Sequence, residues 1–220
     1  SSGYKKSARK KISAAMRFTM VIAFPCAVGL GVLALPIMSM LFRDGYELAA
    51  GLMHIGCINI LFFSMSTLTN GILQGINRMK IPVRNALISL VVHVAVLYVL
   101  LTKTDLEIYA VVIANFVFAL LMSILNQMAI HKYLRYRQEI ARTFIVPALS
   151  SGIMGLFIFG IYKLCALGLP NIVSTLISII CGMMIYFVLI IRLRGVRKEE
   201  LYTMPMGRTI ARVAEKLSLL

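Results

Sequence analysis

Six apolar runs, each long enough to cross about 30 Å of hydrocarbon, make up most of this chain: approximately Arg17–Phe42, Leu48–Gly75, Pro82–Leu101, Glu107–Ile130, Arg142–Leu164 and Pro170–Ile191. Lipid offers no hydrogen bonds to a backbone, so segments of this kind must satisfy their own N–H and C=O groups as helices. The runs therefore predict an all-α fold, a polytopic membrane helix bundle with six transmembrane helices. Composition agrees: 60% of residues are hydrophobic and 14% charged, with a mean hydropathy of +0.90. A soluble domain is nearer 25% charged.

The basic residues alternate between the connections. Lys and Arg number six up to Arg17, three around Arg78, four from Lys132 to Arg142 and seven from Arg192 onward, whereas Arg43, Lys103 and Lys163 stand singly. One side of the bundle thus collects 20 of the 23. The positive-inside rule places that side, with both termini, in the cytoplasm of a multi-pass cell-membrane protein. The net charge of +15 is then a topology signal. It is not a nucleic-acid footprint, because the cations fall between apolar runs and do not gather on one folded face. The expected organisation is a basic cytoplasmic segment over 1–16, four spans over 17–130, a basic loop over 131–141, two further spans over 142–191 and a cytoplasmic tail over 192–220. From Met204 the tail has the pattern of an amphipathic helix, with Ile210, Val213 and Leu217 on one side and Arg208, Arg212 and Lys216 on another. Such a helix suits an anionic leaflet. The basic start, without an initiator Met, has no cleavable signal peptide and suggests a piece of a longer protein.

The second run carries the most telling polar pattern. On a helix at 100° per residue, Asn59, Ser66, Asn70 and Asn77 fall within about 20° of one line, with Gln74 about 60° away. Amides cannot face acyl chains unpaired. The line must meet other helices, as interhelical hydrogen bonds, or a water-filled path, as its polar wall; the latter makes these five residues candidates for a substrate cavity. His93, in the middle of the third run, is a candidate by its ionisable ring, with hydrogen bonding to a neighbouring helix as the plainer role. Asn115 and Asn126 share one face of the fourth run and are candidates for the same surface. Pro25 and Pro36, eleven residues apart in the first run, would kink it toward one side and are candidate hinges. Gly71 and Gly75 form a GxxxG pattern suited to close packing. Tyr133 and Tyr136 suit the headgroup layer.

The four cysteines, Cys26, Cys57, Cys165 and Cys181, lie in or beside apolar runs without CxxC spacing, so neither a metal site nor a disulfide is expected. HExxH, GxSxG and P-loop patterns are absent, and the chain is not expected to be an enzyme or to hold a cofactor. The eight acidic residues fall in loops, tails or span ends, leaving no embedded carboxylate relay for a cation.

The stretch from Ile12 to Phe42, the segment Ile72-Leu73-Gln74-Gly75 running through Asn77 into Lys80-Ile81-Pro82, and the ending Met206-Gly207-Arg208 together resemble the polysaccharide-biosynthesis branch, stage V sporulation protein B-like, of the MATE-like multidrug/oligosaccharidyl-lipid/polysaccharide flippase superfamily. The resemblance covers essentially the whole chain. It implies two six-helix lobes around a central cavity, often followed by two extra helices, and export of a polyprenyl-diphosphate-linked saccharide by alternating access. On that mapping the six spans correspond to the last four helices of the C-terminal lobe plus the two extras. Membrane lipids, the saccharide-lipid and the N-terminal lobe of the same protein are the implied partners. A drug or cation antiporter of the related extrusion family, and a six-span membrane scaffold or assembly factor, are the alternatives.

Overall fold

A computed structural model describes residues 2–193, with side chains from residue 7 onward. The expected amphipathic tail lies outside the described residues. The rest is a helical bundle without strands among the described residues. Its helices are α1 (Ser2–Val32), α2 (Ala34–Leu41), α3 (Tyr46–Gly56), α4 (Asn59–Gly75), α5 (Lys80–Lys103), α6 (Tyr109–Leu134), α7 (Val146–Cys165) and α8 (Asn171–Arg192). Five helices are long and apolar enough to cross a membrane, and α3 with α4 supply a sixth crossing if the bent pair is one span. The protein is thus a multi-pass membrane bundle. In order across it, α5 packs on α6, α6 on α4, α4 on α1, and α1 on α7, which pairs with α8.

Two of the six runs are broken helices. The first stops at Val32 and resumes at Ala34. Pro36 explains the break: it has no N–H for the Val32 carbonyl, and its ring crowds that carbonyl. Pro25, by contrast, sits inside an unbroken α1. The carbonyl it leaves free, four residues back at Val21, accepts a hydrogen bond from the Tyr186 hydroxyl of α8 at 2.7 Å. A neighbouring side chain thus repairs the backbone where water cannot. The second run bends by 50° between α3 and α4. There Ile60 N–H and Leu61 N–H bond back only three residues, to Cys57 and Ile58, a tightened turn that redirects the axis. The two breaks touch: His54 Nδ1 donates to the Gly31 carbonyl at 2.8 Å. A third irregularity, a π-turn over Ala141–Ile145, precedes Pro147 and absorbs its missing donor before α7 begins.

The basic connections gather at one end. Arg9 Nε donates to the Leu134 carbonyl at 2.7 Å, Arg17 pairs with Glu139 at 3.0 Å, and the Arg78 guanidinium lies 4.7 Å from the centre of the Tyr133 ring. The opposite end is closed by Asn171, whose Nδ2 donates to the Pro36 carbonyl at 3.0 Å and to Ser39 Oγ at 2.9 Å. The basic stretch before Arg17 is not a separate segment in its backbone, since α1 runs through it from Ser2.

Tyr136 departs from its expected place. It is buried with Ile12, Met16, Leu73, Ile130 and Leu134 in a cluster between α1, α4 and α6, not displayed to headgroups. Arg135 makes this possible by adopting a left-handed conformation at the end of α6 (φ 50°), which turns the chain back under the bundle. A second cluster joins Leu33, Met154, Ile158, Tyr186 and Ile190. There α7 and α8 approach closely because Gly182 has no Cβ; one would collide with the Ile158 side chain.

Candidate functional site

The polar centre of the molecule is Asn126 on α6, which is fully buried. Its Nδ2 donates to Asn70 Oδ1 at 2.7 Å and to Thr69 Oγ1 at 3.1 Å, both on α4. Its Oδ1 accepts from Asn85 Nδ2 of α5 at 3.0 Å. One amide thereby ties three helices, making three of the four hydrogen bonds open to it. Thr69 completes the set by donating back along its own helix to the Met65 and Ser66 carbonyls. One turn along α5, Ser89 Oγ is buried without a partner among the described residues.

The predicted cavity residues divide into four groups. Asn70 and Asn126 meet directly in this hub. Asn59 and Ser66 also turn inward: Asn59 Nδ2 reaches the Val112 carbonyl of α6 at 3.4 Å, while Ser66, buried, donates to the Phe63 carbonyl at 3.0 Å. Gln74 and Asn77 are exposed. Asn77 lies past the end of α4 with a positive φ of 58°, so it belongs to the turn and not to the helical line. His93 lies apart from the hub, edge-on to Phe118 at 6.0 Å, and Phe118 in turn lies 6.2 Å from Phe63. Asn115 is half-buried and takes no part in the hub. Thr69 and Asn85, which the sequence reading did not single out as candidates, are integral to it. Asn85 had a signal, since it shares a face of the third run with Ser89 and His93.

The orientation of α4 follows from burial. Ser66, Thr69 and Leu73 are its buried residues, centred about 50° to one side of the predicted line. Phe63, Thr67, Gly71 and Gln74 are exposed, centred roughly 75° to the other side. The predicted line therefore runs along the border between a face used up in hydrogen bonds and an open face. Gly71 and Gly75 fall on the open side with nothing within 4 Å of where a Cβ would stand, so no described helix uses their GxxxG. At the basic end this face runs into Arg78, Lys80 and Arg84, all exposed. Among the described residues no cluster of His, Cys, Asp and Glu could hold a metal ion.

Residues 2–99 match the family model MatE. They take in α1 to α4 and most of α5, including the Asn70, Thr69 and Asn85 corners of the hub. The chain is 28% identical over 137 residues to the probable lipid II flippase MurJ of Bdellovibrio bacteriovorus, an alignment covering 60% of this chain and 26% of that protein. The chain thus spans about a quarter of the length of that relative. No solved structure matches it.

Proposed function

We propose that this chain is the C-terminal part of a flippase for a lipid-linked oligosaccharide or cell-wall precursor, carrying a polyprenyl-diphosphate-linked saccharide, with both termini cytoplasmic. The likeness to a probable lipid II flippase and the MatE match support the class. The observation that carries the reading is the open face of α4. Phe63, Thr67, Gly71 and Gln74 lie exposed, about 125° around the helix from its buried residues Ser66, Thr69 and Leu73. Beyond Phe63 the face is small and polar, which does not favour acyl chains and suits sugar hydroxyls and water. Another lobe of the same protein would enclose that face as one wall of a cavity, and Arg78, Lys80 and Arg84 would lie at its cytoplasmic mouth.

The test is Gln74→Leu in the complete protein, assayed for lipid flipping in reconstituted vesicles. Gln74 is exposed and makes no contact in the hub, so insertion and stability stay as in the wild type. Loss of one hydrogen bond to cargo lowers the rate by about tenfold. Wild-type flipping in this variant rejects the cavity assignment.

A further inference from the structure

The loop over 135–140 borders a groove of about 680 Å³ between α4, α6 and the π-turn that precedes α7. Its floor is apolar: Phe62 and Met65 from α4, Leu120 and Ile124 from α6, Ile140 at the end of the loop and Phe144 in the π-turn. Its other end is polar and incomplete. Gln127 Nε2 donates to Gln138 Oε1 at 3.2 Å, which leaves Gln127 Oε1 and Gln138 Nε2 buried without partners among the described residues. An unpaired buried donor is costly, and Gln127 and Gln138 both belong to the residues that line this groove. Arg137, exposed, lines the same end, with His131 beside it. The His131 ring is fixed by a 2.9 Å contact from Nδ1 to the Tyr136 carbonyl. A carbonyl only accepts, so Nδ1 donates to it, and the ring holds the loop in place without offering that proton to a ligand. Among the described residues no carboxylate lines the groove; Glu139, next along the loop, is engaged by Arg17 at 3.0 Å.

An apolar channel ending in a guanidinium and an unpaired amide N–H calls for an amphiphile with an anionic head. A free anion would leave the floor uncovered, and a zwitterionic lipid would set its own cation against Arg137. Basic pockets between helices at a membrane surface recognise anionic headgroups in this way. We propose that the groove holds one anionic phospholipid of the surrounding leaflet, with its phosphate at Arg137 and Gln138 and an acyl chain over Leu120 and Ile124. This rests on the groove alone and not on the transport reading.

Native mass spectrometry of the full chain, stripped of lipid and then offered phosphatidylglycerol or phosphatidylcholine with matched chains, tests it. Phosphatidylglycerol is retained about tenfold better. Arg137→Gln abolishes the preference, whereas Lys132→Gln, an exposed cation outside the groove, leaves it intact. Ile124→Trp, which fills the floor, removes retention of both lipids, and a circular dichroism spectrum confirms that this variant folds. Equal retention of the two lipids overturns the proposal, as does an equal effect of Arg137→Gln and Lys132→Gln. So does binding of glycerol 1-phosphate as tight as that of the intact lipid, which would mark a bare phosphate site. Preference for a polyprenyl phosphate over phosphatidylglycerol also overturns it.

Discussion

Replacing Asn126 with Leu removes the hub at a stroke. Leu keeps the branching of the side chain and removes every polar atom, while its two methyls add bulk that the buried site must also absorb. Three interhelical hydrogen bonds vanish, those to Asn70, Thr69 and Asn85. Their loss is unequal. Thr69 keeps its own bonds to the Met65 and Ser66 carbonyls at 2.8 and 2.9 Å and gives up only an accepting role. Asn70 is half-buried and finds water more readily. Asn85, 2% exposed, is left with a buried donor that nothing replaces. At a membrane average of ~0.6 kcal/mol for each bond, the total comes to ~2 kcal/mol, a roughly thirtyfold shift in the folding equilibrium. Reversible unfolding in mixed micelles, followed by circular dichroism, measures it. Asn115→Leu on the same helix, outside the hub, is the control and changes stability by less than about 0.5 kcal/mol. Adding Asn85→Leu to Asn126→Leu removes the orphaned donor and costs less than the two single changes summed. If Asn126→Leu matches the Asn115 control, the hub does not hold these helices together.

Tyr186→Phe uncaps the Val21 carbonyl freed by Pro25 and costs ~1 kcal/mol in the same unfolding assay; no loss would mean that another group satisfies that carbonyl. Gly182→Val drives a methyl into Ile158 and destabilises by ~1–3 kcal/mol, with Ile158→Ala in the same molecule recovering part of it. Burial pushes the Tyr136 phenol above its usual value, with Glu139 adding to the effect. The folded state therefore favours the protonated phenol: its contribution is full below about pH 10 and is lost as pH rises beyond that value. Tyr136→Phe flattens the alkaline fall in stability, and an unchanged profile would show that the loop opens before the phenol ionises.

Hydropathy made the six spans legible because apolar length alone decides whether a segment can cross a bilayer. Proline made the first break legible, since Pro36 states which carbonyl must go without a donor. The bend between α3 and α4 carries no such mark. Its turn runs through Cys57 and Ile58, and its cause lies in packing, with His54 and Cys57 pressed against α1 at Gly31. The polar line of α4 was visible in the spacing, but its bearing toward the neighbours was not. Periodicity groups residues by angle and says nothing about where the adjoining helices stand. Thr69 escaped notice for a related reason: a threonine in a membrane helix usually bonds its own backbone, and only the position of Asn126 shows that its oxygen also accepts. Tyr136 misled because its burial depends on the left-handed turn at Arg135, a conformation that arginine seldom adopts and that its sequence does not announce.

The two faces of α4 have opposite mechanical roles that follow from one count of partners. On the α6 side the amide and hydroxyl groups of Thr69 and Asn70 are bonded to Asn126, so moving α4 against α6 means breaking bonds that lipid cannot replace. On the other side Thr67, Gly71 and Gln74 have no described partner to break with. Motion between this part of the chain and anything seated on the open face therefore costs little, while α4, α5 and α6 travel as one body. Bending, where it occurs, falls at the breaks that already lack helical bonds, near Leu33 and at Cys57–Ile58. His54 bridges those two breaks through the Gly31 carbonyl, so a change of angle at one would have to break that bond or carry the other break with it.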